Sequence, residues 1–215
     1  MNFTKFQNEI ASIKLATLGG LKAQFLMAPK MRLQFTEEKI KASNPKQAAV
    51  LALFYPDINN ETHFLLTLRA SYNGTHSAQI SFPGGKTDKD DLNAQSTAVR
   101  ETFEEVGVNP TDIKIIKKLT QTYITPSNFM ISPFIGILKN TPSFLPNEEV
   151  EQIIEVKLAD LLNNNNVIIK NMSTSYMKNI GIPCFKLNNY IVWGATAMIL
   201  SEIKCLLKHF KPFIL

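Results

Sequence analysis

Gly84-Gly85-Lys86 and Arg100-Glu101-Thr102-Phe103-Glu104-Glu105-Val106-Gly107-Val108 carry the strongest structural signal in this chain. The second segment places an arginine and three carboxylates within six consecutive positions and ends at a glycine. Glycine is favoured in the left-handed position just past a helix, and Asp90 or Asp91 can cap the helix start. The two segments therefore predict a glycine-rich turn followed by a helix that ends at Gly107.

The three carboxylates of this predicted helix share one face. Each residue of a helix is rotated by about 100° around the axis relative to the one before. Relative to Glu101, the side chain of Glu104 therefore lies at about −60° and that of Glu105 at about +40°. Arg100 lies beside them and can pair with Glu104 one turn further on. The opposite face is expected to pack on the core, and its members are Leu92, Val99, Thr102, Phe103 and Val106.

Such an acidic face indicates a metal site. Crowded carboxylates repel one another unless a cation is present, and hard divalent ions such as Mg²⁺ bind their oxygens while keeping waters for a substrate phosphate. Gly84-Gly85 allows close backbone approach, so a carbonyl there can join the ligands. The alternative is a solvated helix with an ion pair, the commoner origin of an acidic run. The glycine pair, Arg100 and Gly107 favour the site.

The rest of the chain predicts an α/β fold. Ala48–Tyr55 is a continuous apolar run typical of a strand buried on both faces, and His63–Arg69 is its expected hairpin partner. Further strands are predicted at 113–119, 123–124, 131–138, 167–170 and 183–192, with breaks at Pro126 and Pro133, and 156–162 is predicted as a short strand that passes into a helical turn. Helices are predicted at 2–15 and, with one apolar stripe, at 195–210. Strands between terminal helices imply a mixed sheet covered on two faces.

Composition favours one domain of 215 residues, because 45% of the residues are hydrophobic, 19% are charged, and no shift divides the chain. We expect an N-terminal helical extension of about 20–45 residues before the first strand. No apolar run reaches about 18 residues, so we expect no membrane span. The N-terminus lacks the basic and apolar regions of a secretory signal. Cys184 and Cys205 are expected to be free thiols, which fits the cytoplasm.

The net charge of +5 favours anionic partners only weakly, because the lysines are scattered. We expect a small-molecule substrate rather than a nucleic acid, and the sequence leaves a homodimer open.

The glycine turn and acidic helix resemble the signature of the Nudix hydrolases, G-(five)-E-(seven)-R-E-U-x-E-E-x-G-U, in which U is a bulky apolar residue. The R-E-x-x-E-E-x-G core is intact. Asp91 stands where the first glutamate is expected, Arg100 comes one residue late, and Thr102 replaces an apolar residue.

One branch of that family is closer than the rest. Leu65–Ala70 and Phe82–Gly85 look like the L-L-T-x-R-[SA]…G…F-P-G-G element of the coenzyme A pyrophosphatases, which also carry the extra residue and the aspartate. Gly74 stands where that element has a second arginine, and Ala78 stands where it has a glycine. A missing arginine removes a planar, multi-donor phosphate contact, which loosens the substrate assignment.

The resemblance implies a Nudix α/β/α sandwich around a mixed sheet, with a catalytic loop-helix-loop. It implies Mg²⁺- or Mn²⁺-dependent hydrolysis of a diphosphate, which for coenzyme A gives 3′,5′-ADP and 4′-phosphopantetheine. The metal ligands would be Glu101, Glu104 and Glu105 with the Gly85 carbonyl. Arg100 would orient a carboxylate. The general base would be a glutamate of the helix or Glu149.

Two further residues are weighed as substrate contacts. Arg69 follows a strand, where a phosphate contact is favoured over a surface ion pair. Lys86 follows the glycine pair and is as readily a solvated lysine. Tyr123 and Phe129 are either stacking partners for a base or core residues.

Two other functions stay open. One is a Nudix diphosphatase for ADP-ribose, NADH or a nucleoside triphosphate. The other is a non-catalytic Nudix module that binds a ligand or RNA, which the intact carboxylates disfavour.

Overall fold

An eight-stranded mixed sheet forms the centre of the protein. The computed structural model describes residues 1–29, 37–70, 79–174, 177–208 and 210, so Gly74 and Ala78 lie outside the described residues. The strands are β1 (Lys46–Pro56), β2 (Thr62–Arg69), β3 (Ile80–Ser81), β4 (Gly84–Lys86), β5 (Lys114–Lys118), β6 (Thr122–Ile124), β7 (Phe129–Ile137) and β8 (Val150–Lys157).

Strand β1 lies in the middle of this sheet, as its continuous apolar run predicts. It pairs in parallel with β7 on one side and antiparallel with β2 and β4 on the other. Beyond them, β3 and β8 pair with β2, whereas β5 and β6 pair with β7. The predicted mixed sheet and the β1–β2 hairpin are therefore confirmed.

Helices cover both faces of the sheet. They are α1 (Phe3–Asn8), α2 (Ile10–Leu15), α3 (Gly20–Phe25), α4 (Glu37–Ala42), α5 (Ala94–Val106), α6 (Leu158–Leu162) and α7 (Gly194–Leu207). Alternate residues of β1 explain the layers, because Leu51 and Leu53 face α5 whereas Phe54 faces the terminal helices. The rings of Phe6 and Phe54 stack at 5.1 Å between centroids. The predicted α/β/α arrangement is confirmed.

A second sheet of three antiparallel strands follows α6, formed by β9 (Val167–Thr174), β10 (Met177–Leu187) and β11 (Tyr190–Val192). The hairpin predicted from 167–170 and 183–192 is thus confirmed, although its strands are longer than the sequence pattern indicates.

Two details of the sequence prediction are wrong. Pro133 does not interrupt β7, because the parallel register with β1 continues through it and its carbonyl accepts from the Leu119 N–H at 2.9 Å. The C-terminal helix α7 has more than one apolar stripe. It is buried around most of its circumference, and its buried residues include Glu202 and Lys204.

Candidate functional site

Helix α5 is the element on which the predicted site depends. It begins at Asn93, whose side-chain oxygen accepts from the backbone N–H groups of Gln95 and Ser96 at 2.9 and 3.1 Å. The Ser96 hydroxyl oxygen accepts in turn from the Asn93 N–H at 3.0 Å, which completes a capping box. The cap predicted at Asp90 or Asp91 is therefore wrong. The predicted end at Gly107 is confirmed, with a φ of +73°.

The buried face of α5 differs from the predicted one. Leu92 is 91% exposed and Phe103 is 51% exposed, whereas Glu105 is only 3% exposed. Leu92 precedes the helix because Asn93 caps it. The small side chain of Ala98 packs in the same buried cluster as Ala49 of β1 and Val106. The helix is thus rotated toward its acidic side, and the third carboxylate lies inside the protein.

Two N–H groups donate hydrogen bonds to the buried carboxylate of Glu105. Its Oε1 lies 3.1 Å from Nη1 of Arg69, and its Oε2 accepts from the Gly84 N–H at 3.1 Å. Burial raises the pKa of Glu105 to about 7, although Arg69 and the Gly84 N–H oppose this shift. The neighbouring charges of Glu101 and Glu149 raise it further. This carboxylate therefore lies where an additional cation would be strongly favoured.

Arg100 joins the acidic side chains around it. Its Nη1 lies 2.9 Å from Oε1 of Glu101 and 2.9 Å from Oε2 of Glu104, so the predicted pairing with Glu104 is present. Its Nε and Nη2 donate to the two carboxylate oxygens of Asp91, both at 2.9 Å. These bonds hold the pKa of Asp91 well below its usual range. Asp91 thereby fixes the guanidinium in place.

The glycine turn lies directly against the first carboxylate of the helix. A Cβ on Gly85 would overlap the carboxylate of Glu101, so any other residue there would displace this carboxylate from its present position. Burial raises the pKa of Glu101, and Arg100 opposes the shift. Lys86 is exposed, and its carbonyl accepts from Nη2 of Arg100 at 3.3 Å. The turn and the helix therefore form one unit.

Arg69 connects the helix to the residue predicted as an alternative base. Its Nη2 lies 3.2 Å from Oε2 of Glu149, whose side chain is 59% exposed. The Ala70 N–H donates to the Glu149 carbonyl at 2.9 Å. Arg69 therefore bridges the buried Glu105 and the exposed Glu149, so the ion pair weighed from the sequence is present on the Glu149 side.

The carboxylates are paired with arginines rather than gathered as a metal-binding cluster. No group of three or more His, Cys, Asp or Glu side chains in the described ranges is arranged to hold a metal ion. The chemistry of the donors nevertheless fits a hard divalent ion, because three carboxylates and the Gly85 backbone lie in one region. The structure brings together all the residues that the sequence singled out around α5.

Sequence reasoning considered Asp91 as a helix cap and as a position of the Nudix pattern, but not as a partner of Arg100. The structure shows that it holds Arg100, and the signal was its place in the Nudix pattern, nine residues before that arginine. The sequence also gave no role to Gln24 or Glu202, because single polar residues in apolar helices show no pattern.

Comparison with known proteins identifies the family of this chain. Residues 45–173 match the family model described as the NUDIX domain. The chain belongs to the Nudix family. Its resemblance to this family, based on the sequence of the glycine turn and α5, is thus confirmed.

Curated relatives share most of the chain. Nudix hydrolase 15, mitochondrial, of Arabidopsis thaliana is 32% identical over 162 residues, which cover 73% of this chain and 56% of that protein. The peroxisomal coenzyme A diphosphatase ndx-8 of Caenorhabditis elegans is 28% identical over 172 residues, with 79% and 72% covered. This chain spans only 56% and 53% of the length of the two Arabidopsis relatives that it matches.

Solved structures support the fold. An Ap4A hydrolase of C. elegans in a binary complex has a TM-score of 0.51 and 18% identity, covering 77% of this chain and 99% of that one. A MutT/nudix family protein from Enterococcus faecalis has a TM-score of 0.51 and 12% identity, covering 83% and 74%. At these identities the likeness concerns the fold alone.

No helix in the portion of the chain that the structure describes is long and apolar enough to cross a membrane.

Proposed function

We propose that this protein is a Mg²⁺- or Mn²⁺-dependent diphosphatase that hydrolyses coenzyme A or its derivatives to 3′,5′-ADP and 4′-phosphopantetheine. The observation that carries the proposal is the acidic side of α5. There Glu101, Glu104 and Glu105 each contact an arginine, next to the backbone of the glycine turn. Burial of the Glu105 charge is costly, and a well-packed apolar residue would avoid that cost if the helix were purely structural.

The metal would be held by Glu101, Glu104, Glu105 and the Gly85 carbonyl. A divalent ion there would neutralise charge on the phosphates and lower the pKa of a bound water. The protein supplies the hard oxygen ligands, and Arg100 keeps Glu101 and Glu104 in place. Asp91 in turn fixes Arg100, so the ligand helix is oriented before substrate binds.

Among the candidates for the general base, Glu149 is better placed than Glu105. Both carboxylates contact Arg69, but that of Glu149 is exposed and can accept a proton from water, whereas Glu105 is buried and also bonded to the Gly84 N–H. Glu149→Gln is therefore expected to lower kcat by at least about tenfold, while the matched surface variant Glu148→Gln has no effect. If Glu149→Gln retains the wild-type rate, a glutamate of α5 is the base.

The coenzyme A preference has its own support. Arg69 at the end of β2 and the Phe82–Gly85 segment are the two parts of the pyrophosphatase element, and both lie beside Glu105. One relative, from Caenorhabditis elegans, carries the name of a peroxisomal coenzyme A diphosphatase. We propose that Arg69 and Lys86 contact the substrate phosphates, with Arg69 released from a carboxylate when substrate binds.

A second candidate is a Nudix diphosphatase with another preference, such as ADP-ribose, NADH or a nucleoside triphosphate. It is favoured by Gly74 and Ala78, which depart from the coenzyme A element. A panel of these compounds with Mg²⁺ and Mn²⁺, ranked by kcat/KM, decides between the two. We expect coenzyme A to rank first and to release 3′,5′-ADP. No release from coenzyme A alongside cleavage of another dinucleotide rejects the first proposal, and no cleavage at all favours the non-catalytic module.

We also propose that the N-terminal helices belong to the same domain as the sheet. Phe3 and Phe6 are buried in the main core cluster, and the Phe3 N–H donates to the Asn60 carbonyl at 2.7 Å. The cytoplasmic location and the homodimer stay predictions, and so does the absence of a nucleic-acid partner.

A further inference from the structure

A buried carboxylate far from α5 in sequence has no part in the proposed chemistry. Glu202 of α7 is 0% exposed. Its Oε1 accepts from the Gly20 N–H at 3.0 Å and the Thr120 hydroxyl at 2.6 Å, and its Oε2 accepts from Nε2 of Gln24 at 3.0 Å and the Thr120 N–H at 3.2 Å. A buried charge is costly unless it is well hydrogen-bonded, and here four neutral donors satisfy it.

Gln24 of α3 completes this network and is also 0% exposed. Its Nε2 donates to the Thr120 carbonyl at 2.8 Å, and its Oε1 accepts from the Thr122 hydroxyl at 2.8 Å. Gln24 and Glu202 thus hold the segment 120–122 through its backbone and two of its hydroxyls. Both residues lie outside residues 45–173, the part that matches the family model.

The same segment also has side chains on the face of the sheet against which α5 packs. Thr122 lies opposite Ile131 and points toward Gln24, so its neighbours Gln121 and Tyr123 lie on the other face. On that face Ala49 is paired with Gly85 on one side and with Ser132 on the other. Nε2 of Gln121 donates to the buried Ser132 hydroxyl at 2.9 Å.

Gln121 is therefore an exposed side chain on the face of the candidate site, three strands away from Gly85. Adjacent strands lie about 4.8 Å apart, so the separation is about 14 Å. The Tyr123 ring lies half-buried beside it, and its hydroxyl donates to Oδ1 of Asn128 at 3.0 Å. An oriented amide next to an aromatic ring suits the hydrogen-bonding edge and the flat face of a nucleotide base.

From this placement we infer that Gln24 and Glu202 are positioning residues for the substrate. They hold strand β6 from the opposite side of the sheet, so that Gln121 and Tyr123 meet the part of a nucleotide substrate that lies beyond its diphosphate. The segments before and after the family domain thus determine substrate affinity without touching the substrate. The inference rests on the proposed function for the identity of the substrate and for the place of its diphosphate beside α5.

A matched pair of variants separates positioning from general stability. Thr122→Val removes the hydroxyl that bonds to Gln24 and keeps the side-chain shape. Ser201→Ala removes a buried bond between α7 and α3, from the Ser201 hydroxyl to the Ala23 carbonyl at 2.7 Å, and leaves the bonds of Thr120 and Thr122 intact. Thr122→Ser keeps the hydroxyl and is the rescue. Gln24→Met removes the bonds of Gln24 to Thr120 and Thr122, while Glu202 keeps its own two bonds to Thr120.

We expect Gln24→Met to raise KM at least about fivefold and Thr122→Val about threefold, with kcat within about twofold of wild type, because only uniform binding is lost. Thr122→Ser and Ser201→Ala keep the wild-type KM, although Ser201→Ala lowers Tm. Amide hydrogen exchange at residues 120–123 becomes faster in Gln24→Met and Thr122→Val, and stays unchanged in Ser201→Ala.

Two results overturn the inference. One is an equal rise in KM for Ser201→Ala and Thr122→Val, which would show a general loss of stability. The other is unchanged amide hydrogen exchange at residues 120–123 in Gln24→Met. That result would show that Gln24 does not hold β6, whether or not the protein is active. If the wild type hydrolyses none of the compounds in the panel, the proposed function fails. The hydrogen-exchange experiment still decides whether Gln24 holds β6.

Discussion

Single side chains of the site are held by neighbours rather than by their own helix. Arg100 spans three carboxylates, and Asp91 takes two of its N–H groups with charge-assisted bonds. Without Asp91, the guanidinium would be free to follow Glu101 and Glu104 alone. The arrangement of the proposed metal ligands therefore depends on a residue that would not itself bind the metal.

Asp91→Asn tests this dependence. The substitution removes the charge and one acceptor for Arg100, so we expect kcat/KM to fall about 10–100-fold, the range seen when groups that orient metal ligands are lost. Steady-state kinetics across a Mg²⁺ titration measures the effect. Asp90→Asn, one position earlier and exposed, is the control and should behave as wild type. Equal activity for both variants would show that Asp91 has no orienting role.

Glu105 makes the stability of the metal-free protein depend on pH. Its pKa of about 7 in the folded protein lies above its ordinary value of 4.5, so folding favours the protonated form. The resulting penalty is absent below about pH 4.5, grows as pH rises, and is complete above about pH 7.

Glu105→Gln removes that penalty while keeping an acceptor for Arg69. In EDTA at pH 8, we expect the variant to be more stable than wild type by up to about 3 kcal/mol, and near pH 4.5 we expect no difference. Urea unfolding at the two pH values measures both. A variant that is less stable than wild type at pH 8 would contradict the buried, ionised carboxylate.

At the scale of elements, α5 shows what a sequence pattern predicts well. The end of the helix at Gly107, the Arg100–Glu104 pair and the strand β1 all follow from local chemistry, namely a left-handed cap, a one-turn spacing and a continuous apolar run. The buried face of α5 was predicted only in part, because Thr102 and Val106 are buried as expected while Phe103 is exposed and Glu105 is buried. A prediction from helical periodicity assumes that carboxylates avoid the core. Glu105 is an exception because Arg69 and the Gly84 N–H donate hydrogen bonds to it in the interior.

The end of α5 gives a prediction about a single glycine. Gly107 has a φ of +73°, and a Cβ there would lie 2.9 Å from Cβ of Leu145. Gly194 has a similar φ of +65°, with open space around the position of a Cβ. Both Gly→Ala variants lose about 1 kcal/mol to the left-handed conformation, and Gly107→Ala loses at least about 1 kcal/mol more to the contact.

Chemical unfolding of the two variants measures this difference. Equal losses would mean that the loop carrying Leu145 moves away without cost, and that it does not fix the C-terminal end of α5.

At the scale of the whole molecule, the sequence predicts the α/β/α layers and the region of the site, but not how the terminal segments join them. The contacts of Gln24 and Glu202 with Thr120 link residues about a hundred positions apart. No local period encodes such contacts, because a single buried polar residue is satisfied only by partners that folding brings to it. For the same reason, the sequence predicts a phosphate contact for Arg69 but not its ion pairs with Glu105 and Glu149.

Hydrolysis of coenzyme A by wild type and Glu105→Gln, with Mg²⁺ and with EDTA, tests the central claim most directly. We predict that the wild type releases 3′,5′-ADP only with the metal, and that Glu105→Gln lowers kcat at least about a hundredfold while remaining folded. Near-normal turnover by Glu105→Gln, or undiminished turnover by the wild type in EDTA, would contradict the assignment of α5 as the metal-binding catalytic helix.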